Sequence, residues 1–254
     1  MSKNTSSVSE KTLKVLFLFS KYKSLTINQI VDLTEMNISS VYRIINTLRN
    51  QEFIILNSEN NYILNPAVIL PLYNMVNTDL RANVKPFLKR LANSLNASVF
   101  LSKDHQDNKI IIVEKEDGPG NLRWVESIGF TYNIPTGTAG KTHLAYILKG
   151  MDEHERESYL ESLKLVHYTN KSIVDLKILL EDIQEILING YCITEGEHLE
   201  EVVGFSVPIL NPNSGECMYV LTLIRTSNEF NIEEKQKIII SMKEEASRIA
   251  SYII

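Results

Sequence analysis

The sequence predicts an α+β protein with a helical N-terminal part and a larger part that mixes strands with helices. Three observations support this fold class. Up to about residue 95, apolar residues recur with the helical period of 3.6 residues. After that, they alternate with the strand period of two residues, and Gly/Pro-rich turns separate the apolar runs. The chain has 254 residues, 44% hydrophobic and 22% charged. This is a globular composition of a length that suits two domains.

The first two helices are predicted from capping residues followed by apolar stripes. The segment from Ser9 to Phe19 is predicted as a helix with Ser9 as its N-cap. A second helix is predicted to begin after Thr26, which forms a capping box with Gln29, and to end near Thr34. The residues predicted to be buried are Leu13, Leu16 and Phe17 in the first helix and Ile27, Ile30 and Val31 in the second.

The third predicted helix begins at Ile38, after the N-cap Asn37, and has one apolar and one polar face. Its apolar stripe is formed by Val41, Ile44, Ile45 and Leu48. The opposite face carries only hydrogen-bonding side chains and no acidic one. These side chains are Ser39, Tyr42, Arg43, Asn46 and Asn50, with Ser40 and Thr47 on one flank.

Two short strands, Phe53–Leu56 and Tyr62–Leu64, are predicted to follow as a hairpin around the turn 58–61. Two short helices joined by a tight turn and followed by a hairpin form a winged helix-turn-helix, predicted here for residues 1–66. The second helix of such a unit usually enters the major groove of DNA. The alternative is a small three-helix interaction module. The lack of acids on the outward face of the third helix counts against that alternative, because phosphates lie close to such a face.

The charge distribution permits a polyanion at one end of the chain only. The net charge is −5, but residues 1–66 contain seven Lys/Arg and five Asp/Glu, so this part carries +2 and the remainder −7. The sequence contains no apolar run of about 18 residues and no secretory signal pattern. Its two cysteines suit a reducing compartment. These features predict a soluble cytoplasmic protein with no membrane partner.

A linker helix is predicted for residues 67–82 from the apolar stretch Ala67–Arg81. Pro71 is expected in its first turn, where a missing N–H is tolerated, and Pro86 is expected to open the next helix. This segment could form a dimer contact or pack on its own domain. The residues expected at the dimer contact are Ile69, Leu72, Met75 and Val76.

The remaining residues, 83–254, are predicted to form one domain of mixed strands and helices. The predicted strands are Val99–Ser102, Lys109–Glu116, Leu122–Ser127, Tyr191–Thr194, Val202–Pro208 and Met218–Ile224. Four helices are predicted. The first follows Ala139, the second spans Asp152–Lys164, and the third spans Asp175–Asn189 and is closed by Gly190. The fourth runs from its cap Asn231 to about Ser251.

No catalytic, metal or cofactor site is predicted. The segment Gly137–Thr142 resembles a phosphate-binding loop, but the position that requires glycine is Pro135. A helix start rich in small residues, which lets the backbone approach a ligand or a strand, is the favoured interpretation. The five histidines lack metal-ligand spacing, and His198 is expected in a solvent-exposed acidic loop. Neither cysteine has an adjacent histidine, and there is no Gly-x-Ser-x-Gly.

Several segments together resemble the IclR family of transcriptional regulators along nearly the whole chain. They are Ser39–Leu48, Tyr62–Leu64, Ile134–Ala145, Asn189–Tyr191, Glu197 and Val207–Ile209. The resemblance implies a winged helix-turn-helix, a linker helix and a GAF-like effector-binding domain. It also implies operator DNA as partner, a homodimer or a dimer of dimers, and a small metabolite as effector, often a carboxylate.

The resemblance places the effector-binding residues at the small-residue helix start and on the late strands. They are Thr138, Ala139, Thr194, Gly204 and Thr222, and Arg123 or Trp124 could close one side. Where some members have an acidic residue and a cysteine, this sequence has Thr194 and Gly204. An alternative is that Ala139 and Gly140 only permit tight helix–sheet packing, with the cavity filled.

The DNA-binding residues are expected on the outward face of the third helix. Ser39, Tyr42, Arg43 and Asn46 are expected at base edges, and Ser40, Thr47 and Asn50 are expected nearer to phosphates. Two other functions stay open at this point: an enzyme with an accessory N-terminal module, and a protein–protein adaptor.

Overall fold

The computed structural model describes residues 6–74, 78–119 and 126–253. The chain divides into two compact units, Met1–Thr78 and Asp79–Ile254. In the described part of the chain, no helix is long and apolar enough to cross a membrane.

In the described residues, the first unit begins with the three helices and the antiparallel hairpin that the sequence predicts. The helices are α1 (Ser7–Leu18), α2 (Ile27–Thr34) and α3 (Ile38–Asn50), and the strands are β1 (Ile54–Leu56) and β2 (Tyr62–Leu64). The capping box of Thr26 with Gln29 is present, and Asn37 caps α3. All four apolar residues predicted for α3 are buried. This packing turns the polar face of α3 outward.

Two predictions for α1 are wrong. Its N-cap is Ser6, which accepts a hydrogen bond from the backbone N–H of Ser9. Leu13 and Phe17 are 53% and 70% exposed, whereas Val15 is buried together with Phe19. Residues two apart in a helix point about 200° away from each other, so α1 carries one apolar pair on each side. Periodicity alone does not tell which pair packs on the neighbouring helices.

Two helices follow the hairpin, α4 (Pro66–Asn74) and α5 (Thr78–Leu95), and both proline predictions are wrong. Pro71 lies inside α4, and Pro86 lies inside α5 instead of opening a helix. An interior proline removes one helical hydrogen bond at a cost of about 3 kcal/mol. Packing offsets this cost in α5, because Val84, Leu88 and Leu91 are buried on either side of Pro86. Met75 and Val76 lie outside the described residues.

The second unit is built on an antiparallel sheet with the strand order β5-β4-β3-β8-β7-β6. Its strands are β3 (Ser98–His105), β4 (Lys109–Glu116), β5 (Thr131–Asn133), β6 (Cys192–Glu195), β7 (Val202–Leu210) and β8 (Cys217–Thr226). All strands except β5 were predicted at nearly these positions. Most of the predicted strand Leu122–Ser127 lies outside the described residues, and residues 126–127 are not in a strand.

Helices cover both faces of this sheet. The helices of the second unit after α5 are α6 (Gly137–Lys149), α7 (Glu153–Ser162), α8 (Leu176–Asn189) and α9 (Lys235–Tyr252). Gly190 ends α8 in the left-handed conformation, as predicted, and Asn231 caps a short 3-10 turn that leads into α9. The helices α5 and α9 pack on one face, and α6 and α8 pack on the other. The start of α6 therefore lies directly over the sheet.

Candidate functional site

The outward face of α3 presents the polar side chains that the sequence predicts. Six of the seven predicted residues are exposed, and Ser40 is half-buried. The Ser39 hydroxyl donates to Asn37 Oδ1 at 2.9 Å, and the Thr47 hydroxyl donates to the Arg43 carbonyl at 2.9 Å. No described residue forms a hydrogen bond with the side chains of Arg43 and Asn46, so both remain available to a partner.

A small cavity of about 50 Å³ lies between the start of α6 and the sheet of the second unit. All five residues proposed for the effector site line it, namely Thr138, Ala139, Thr194, Gly204 and Thr222. Phe100, Ile110, Val202 and Ile224 provide apolar walls. Arg123 and Trp124 lie outside the described residues.

Gly204 allows α6 to approach the sheet closely. A Cβ atom at this position would lie 2.7 Å from Cγ2 of Thr138 and 3.3 Å from Oγ1 of Thr194. Such contacts are too short for any other residue without movement of α6. The absence of a side chain at Gly204 therefore sets the distance between the helix start and the floor of the cavity.

Buried hydroxyl groups connect α6 to the strands β6 and β7. The Thr138 hydroxyl donates to the Cys192 carbonyl at 3.1 Å, and its oxygen lies 2.7 Å from Oγ of Ser206. Ser206 Oγ also lies 2.7 Å from Oγ1 of Thr142 and donates to the Thr138 carbonyl at 3.0 Å. The Thr138 hydroxyl is therefore occupied by the protein. Thr138 can offer a ligand its methyl group and its backbone N–H.

Thr222 differs from these residues. It is fully buried in the central strand β8, and its Oγ1 has no hydrogen-bond partner among the described residues. A buried hydroxyl without a partner is unusual, because its desolvation is not compensated. Thr222 therefore belongs to the cavity lining and carries a buried hydroxyl that no described residue satisfies.

Gly140, the other glycine-sized position at the start of α6, is required by a close backbone contact. A Cβ atom on Gly140 would lie 2.8 Å from the carbonyl carbon of Pro135. The glycine permits close packing of the first turn of α6 on the segment that precedes it, while its neighbour Ala139 faces the cavity. The close approach at Gly140 is therefore to Pro135 and not to the sheet, which differs from the helix–sheet packing given as the alternative.

The loop between β6 and β7 lines the cavity through Glu197, His198 and Leu199, which sequence reasoning did not place there. The expectation of a solvent-exposed His198 is wrong. Its ring is half-buried, with centroids 4.6 Å from Tyr168 and 5.9 Å from Tyr132. Burial lowers the pKa of His198, against the opposing charge of Glu126. Only Gly196 signals a turn here, and nothing local indicates that the turn folds over α6.

Lys141 connects this loop to α8. Its side chain is 2% exposed, and its ammonium nitrogen lies 2.7 Å from Glu197 and 2.7 Å from Asp182. Burial alone would lower the pKa of Lys141, but the two carboxylates outweigh it and the pKa is raised. Lys141 is therefore charged, as a structural cation rather than as the lysine of a phosphate-binding loop.

Neither metal binding nor thiol chemistry finds support in the side chains. Within residues 6–74, 78–119 and 126–253, no group of three or more His, Cys, Asp or Glu side chains could hold a metal ion. Burial raises the pKa of Cys192 and that of Cys217 to about 12, which keeps both thiols protonated.

Two family models match the chain. The model described as bacterial transcriptional regulator IclR C-terminal matches residues 72–251, and the IclR helix-turn-helix domain matches residues 9–54. The chain belongs to the IclR family of transcriptional regulators.

Individual IclR relatives agree with this assignment. The HTH-type transcriptional regulator KipR of Bacillus subtilis is 27% identical over 203 residues, which is 79% of each chain. The crystal structure of an IclR regulator from Alicyclobacillus acidocaldarius has a TM-score of 0.76 at 24% identity and covers 98% of this chain and 99% of that one. An IclR homologue from Microbacterium hydrocarbonoxydans, complexed with 4-hydroxybenzoate, has a TM-score of 0.78 at 16% identity, with 97% and 99% covered.

The comparisons decide between the functions that the sequence left open. The IclR relatives are named transcriptional regulators, so this chain is a DNA-binding regulator with an effector-binding domain and not an enzyme. The winged helix-turn-helix and the α+β second unit match the IclR fold.

Proposed function

We propose that this IclR regulator binds operator DNA through the outward face of α3 and that a small organic acid in the α6 cavity changes this binding. The observation that carries the proposal is the cavity itself, in which one helix start and three strands bring together all five candidate effector residues. We assign DNA binding to residues 1–66, the linker to residues 67–82 and effector binding to residues 83–254.

On the DNA side, the proposal assigns base contacts to Ser39, Tyr42, Arg43 and Asn46. An arginine can hold guanine O6 and N7 with two hydrogen bonds, and an asparagine can do the same with adenine N6 and N7. Arg43 and Asn46 are exposed, which favours this role. The flanking Ser40, Thr47 and Asn50 are assigned to the phosphates, which set the position of the helix on the duplex.

On the effector side, the start of α6 favours an anion. The first turn of a helix has N–H groups without acceptors in the helix, and the helix dipole adds a partial positive charge. Thr138 and Ala139 belong to this turn and line the cavity. The apolar walls suit the carbon body of a small carboxylate. The IclR homologue complexed with 4-hydroxybenzoate supports the same chemical class.

We also propose a homodimer or a dimer of dimers as the DNA-binding form. One winged helix reads only a few base pairs, and two copies that read two half-sites supply the specificity a genome requires. The proposed contact is the α4 segment around Ile69 and Leu72, extending to Met75 and Val76. Leu70 and Leu72 on α4 are 56% and 48% exposed in the single chain, which supports this choice. A monomeric mass at micromolar concentration would contradict it.

A fluorescence anisotropy titration with the DNA upstream of the protein's own gene tests the proposed function. Arg43→Ala should cost ~1–3 kcal/mol of discrimination at one base pair, because a bidentate base contact is lost. The control Arg49→Ala removes an equal charge from another side of α3 and should leave base preference unchanged. Small carboxylates added to the wild-type complex should shift operator affinity. An adaptor protein would bind no duplex even at low salt, and this result would overturn the proposal.

A further inference from the structure

We propose that the ion pair between Arg81 and Glu114 transmits the effect of a bound acid from the α6 cavity to the linker. Arg81 lies in the first turn of α5, at the end of the proposed linker, and Glu114 lies on β4. This inference rests on the proposed function, because it takes an acid in the cavity as the signal that changes operator binding. It names the two positioning residues on which that change depends.

The ion pair is buried and fixed in position. Arg81 Nε lies 2.8 Å from Glu114 Oε2, and the two side chains are 16% and 2% exposed. The second carboxylate oxygen, Oε1, accepts a hydrogen bond from the backbone N–H of Lys115 at 3.0 Å. Separation of a buried ion pair leaves an uncompensated charge, which is costly. The first turn of α5 therefore has to follow any movement of β4 at Glu114.

A β-bulge in β4 turns Glu114 towards α5. The register of β4 against β3 shifts by one residue between Ile112 and Glu114, so Val113 is the extra residue. Side chains alternate between the two faces of a strand, and one extra residue exchanges the faces beyond it. Ile112 belongs to the core on the α6 face, whereas Glu114 lies opposite Leu101, which belongs to the core on the α5 face. Without the bulge, the carboxylate would point away from Arg81.

The same strand forms one wall of the cavity. Ile110 on β4 lines the cavity, as does its register partner Tyr132 on β5. The cavity of about 50 Å³ has room for about three to five water molecules, so an acid with an apolar body has to push the walls apart. On its outer side β4 pairs with the three-residue strand β5, which restrains it little. From Ile110 to Glu114 the distance along the strand is about 13 Å.

A second ion pair of α5 provides the contrast. Arg90 Nε lies 2.9 Å from Glu245 Oε1, and Glu245 belongs to α9. Among the described residues, none on α9 lines the cavity. The Arg90 pair therefore holds α5 to the second unit without a connection to the cavity walls, and its removal is the matched control.

The test measures operator affinity by fluorescence anisotropy with and without four probes, which are acetate, propionate, benzoate and 4-hydroxybenzoate. Arg81→Met combined with Glu114→Leu removes both charges, so that no unpaired buried charge remains. In wild type and in the control, Arg90→Met with Glu245→Leu, at least one probe should change operator affinity about five-fold or more. In the Arg81/Glu114 double variant the change should be less than about two-fold, while calorimetry still detects binding of the probe.

Two single variants test the same pair with smaller changes. Arg81→Lys keeps the positive charge beside Glu114 and should keep most of the response to the probe. Arg81→Gln keeps a hydrogen-bond donor without the charge and should lose most of the response. A purely structural role would lower the denaturation midpoints and leave the ratio of the two operator affinities unchanged, and this result would overturn the inference.

The outcomes separate the two proposals. A response that survives in Arg81→Gln and in the Arg81/Glu114 double variant overturns the inference and leaves the proposed function standing. Loss of the response in the Arg90 control, or loss of probe binding in the Arg81/Glu114 double variant, also overturns it, because the effect would then not be specific to transmission by this pair. If no probe changes the operator affinity of wild type, the organic-acid part of the proposed function fails, and the inference fails with it.

Discussion

The ammonium nitrogen of Lys141 lies 2.7 Å from a carboxylate oxygen of Glu197, which belongs to the loop that lines the α6 cavity. The same nitrogen lies 2.7 Å from Asp182 on α8. The loop is held at two further points, because Thr169 Oγ1 contacts the Gly196 carbonyl and Ser172 Oγ donates to the Glu197 carbonyl at 2.7 Å. One buried cation on α6 therefore connects the lining loop to the helix behind it.

Lys141→Met should destabilise the second unit strongly. Removal of one partner from a buried ion pair leaves the others uncompensated and typically costs about 3–5 kcal/mol. The cost here should lie near the lower end, since Asp182 is 40% exposed and can be rehydrated. Chemical denaturation measures the free energy of unfolding.

Lys171→Met is the matched control, because it breaks the ion pair of Lys171 with Glu195, in which both side chains are more than half exposed. An exposed pair contributes about 0–1 kcal/mol. Equal losses in the two variants would show that the burial of Lys141 has no energetic consequence.

Gly204→Ala should displace the start of α6 and weaken effector binding. The added Cβ would lie 2.7 Å from Cγ2 of Thr138, and the overpacking should cost about 1–3 kcal/mol of stability. Thr138→Ser removes that methyl group and keeps the hydroxyl that bonds to Cys192 and Ser206. The double variant should therefore regain much of the lost stability. If it is no more stable than Gly204→Ala, the methyl contact is not the cause.

The sequence predicts α3 and its outward polar face well because the relevant information is local. Helix α3 has a cap at Asn37 and one apolar stripe, and these two features determine which side chains point outward. For α1 the same reasoning fails, because Val15 and Leu13 lie on opposite apolar sides and only the tertiary fold selects between them.

The cavity beside α6, by contrast, depends on contacts between distant segments. The family resemblance points to Thr138 and Gly204, but it does not explain why position 204 is a glycine. The reason is the close contact with Thr138, which lies 66 residues earlier in the chain. The role of Glu197 and His198 depends on how the loop between β6 and β7 folds over α6. No periodicity or capping residue in the sequence encodes this arrangement.

His143 should make the protein less stable in mild acid. Burial lowers the pKa of His143 from 6.5 to about 3, against a hydrogen bond with Ser102 that favours the charged form. As the pH falls below about 6.5, His143 binds a proton in the unfolded chain but stays neutral in the folded protein. The free energy of unfolding then decreases by up to about 1.4 kcal/mol per pH unit, and this stability is fully present only above pH 6.5.

Denaturant titrations between pH 7 and pH 4, with wild type and His143→Gln, isolate this contribution. Glutamine can still donate a hydrogen bond to Ser102 but does not titrate, so the difference between the two proteins should shrink or reverse as the pH falls. Parallel stability curves for the two proteins would contradict the assignment of a neutral His143.

Glu35→Gly should stabilise the first unit. Glu35 ends α2 with φ 57° and ψ 23°, the left-handed conformation, and its N–H donates to the Val31 carbonyl. This conformation costs a residue with a Cβ roughly 1–2 kcal/mol, whereas glycine adopts it without strain. Glycine also makes the unfolded chain more flexible, which lowers the free energy of unfolding by about 0.4–1 kcal/mol. The net gain should be about 0.5–1 kcal/mol, measured as a shift of the first unit's transition in scanning calorimetry. Glu35→Ala removes the same charge and keeps the Cβ, so it should give no gain. An equal gain in both variants would attribute the effect to the charge and not to the backbone.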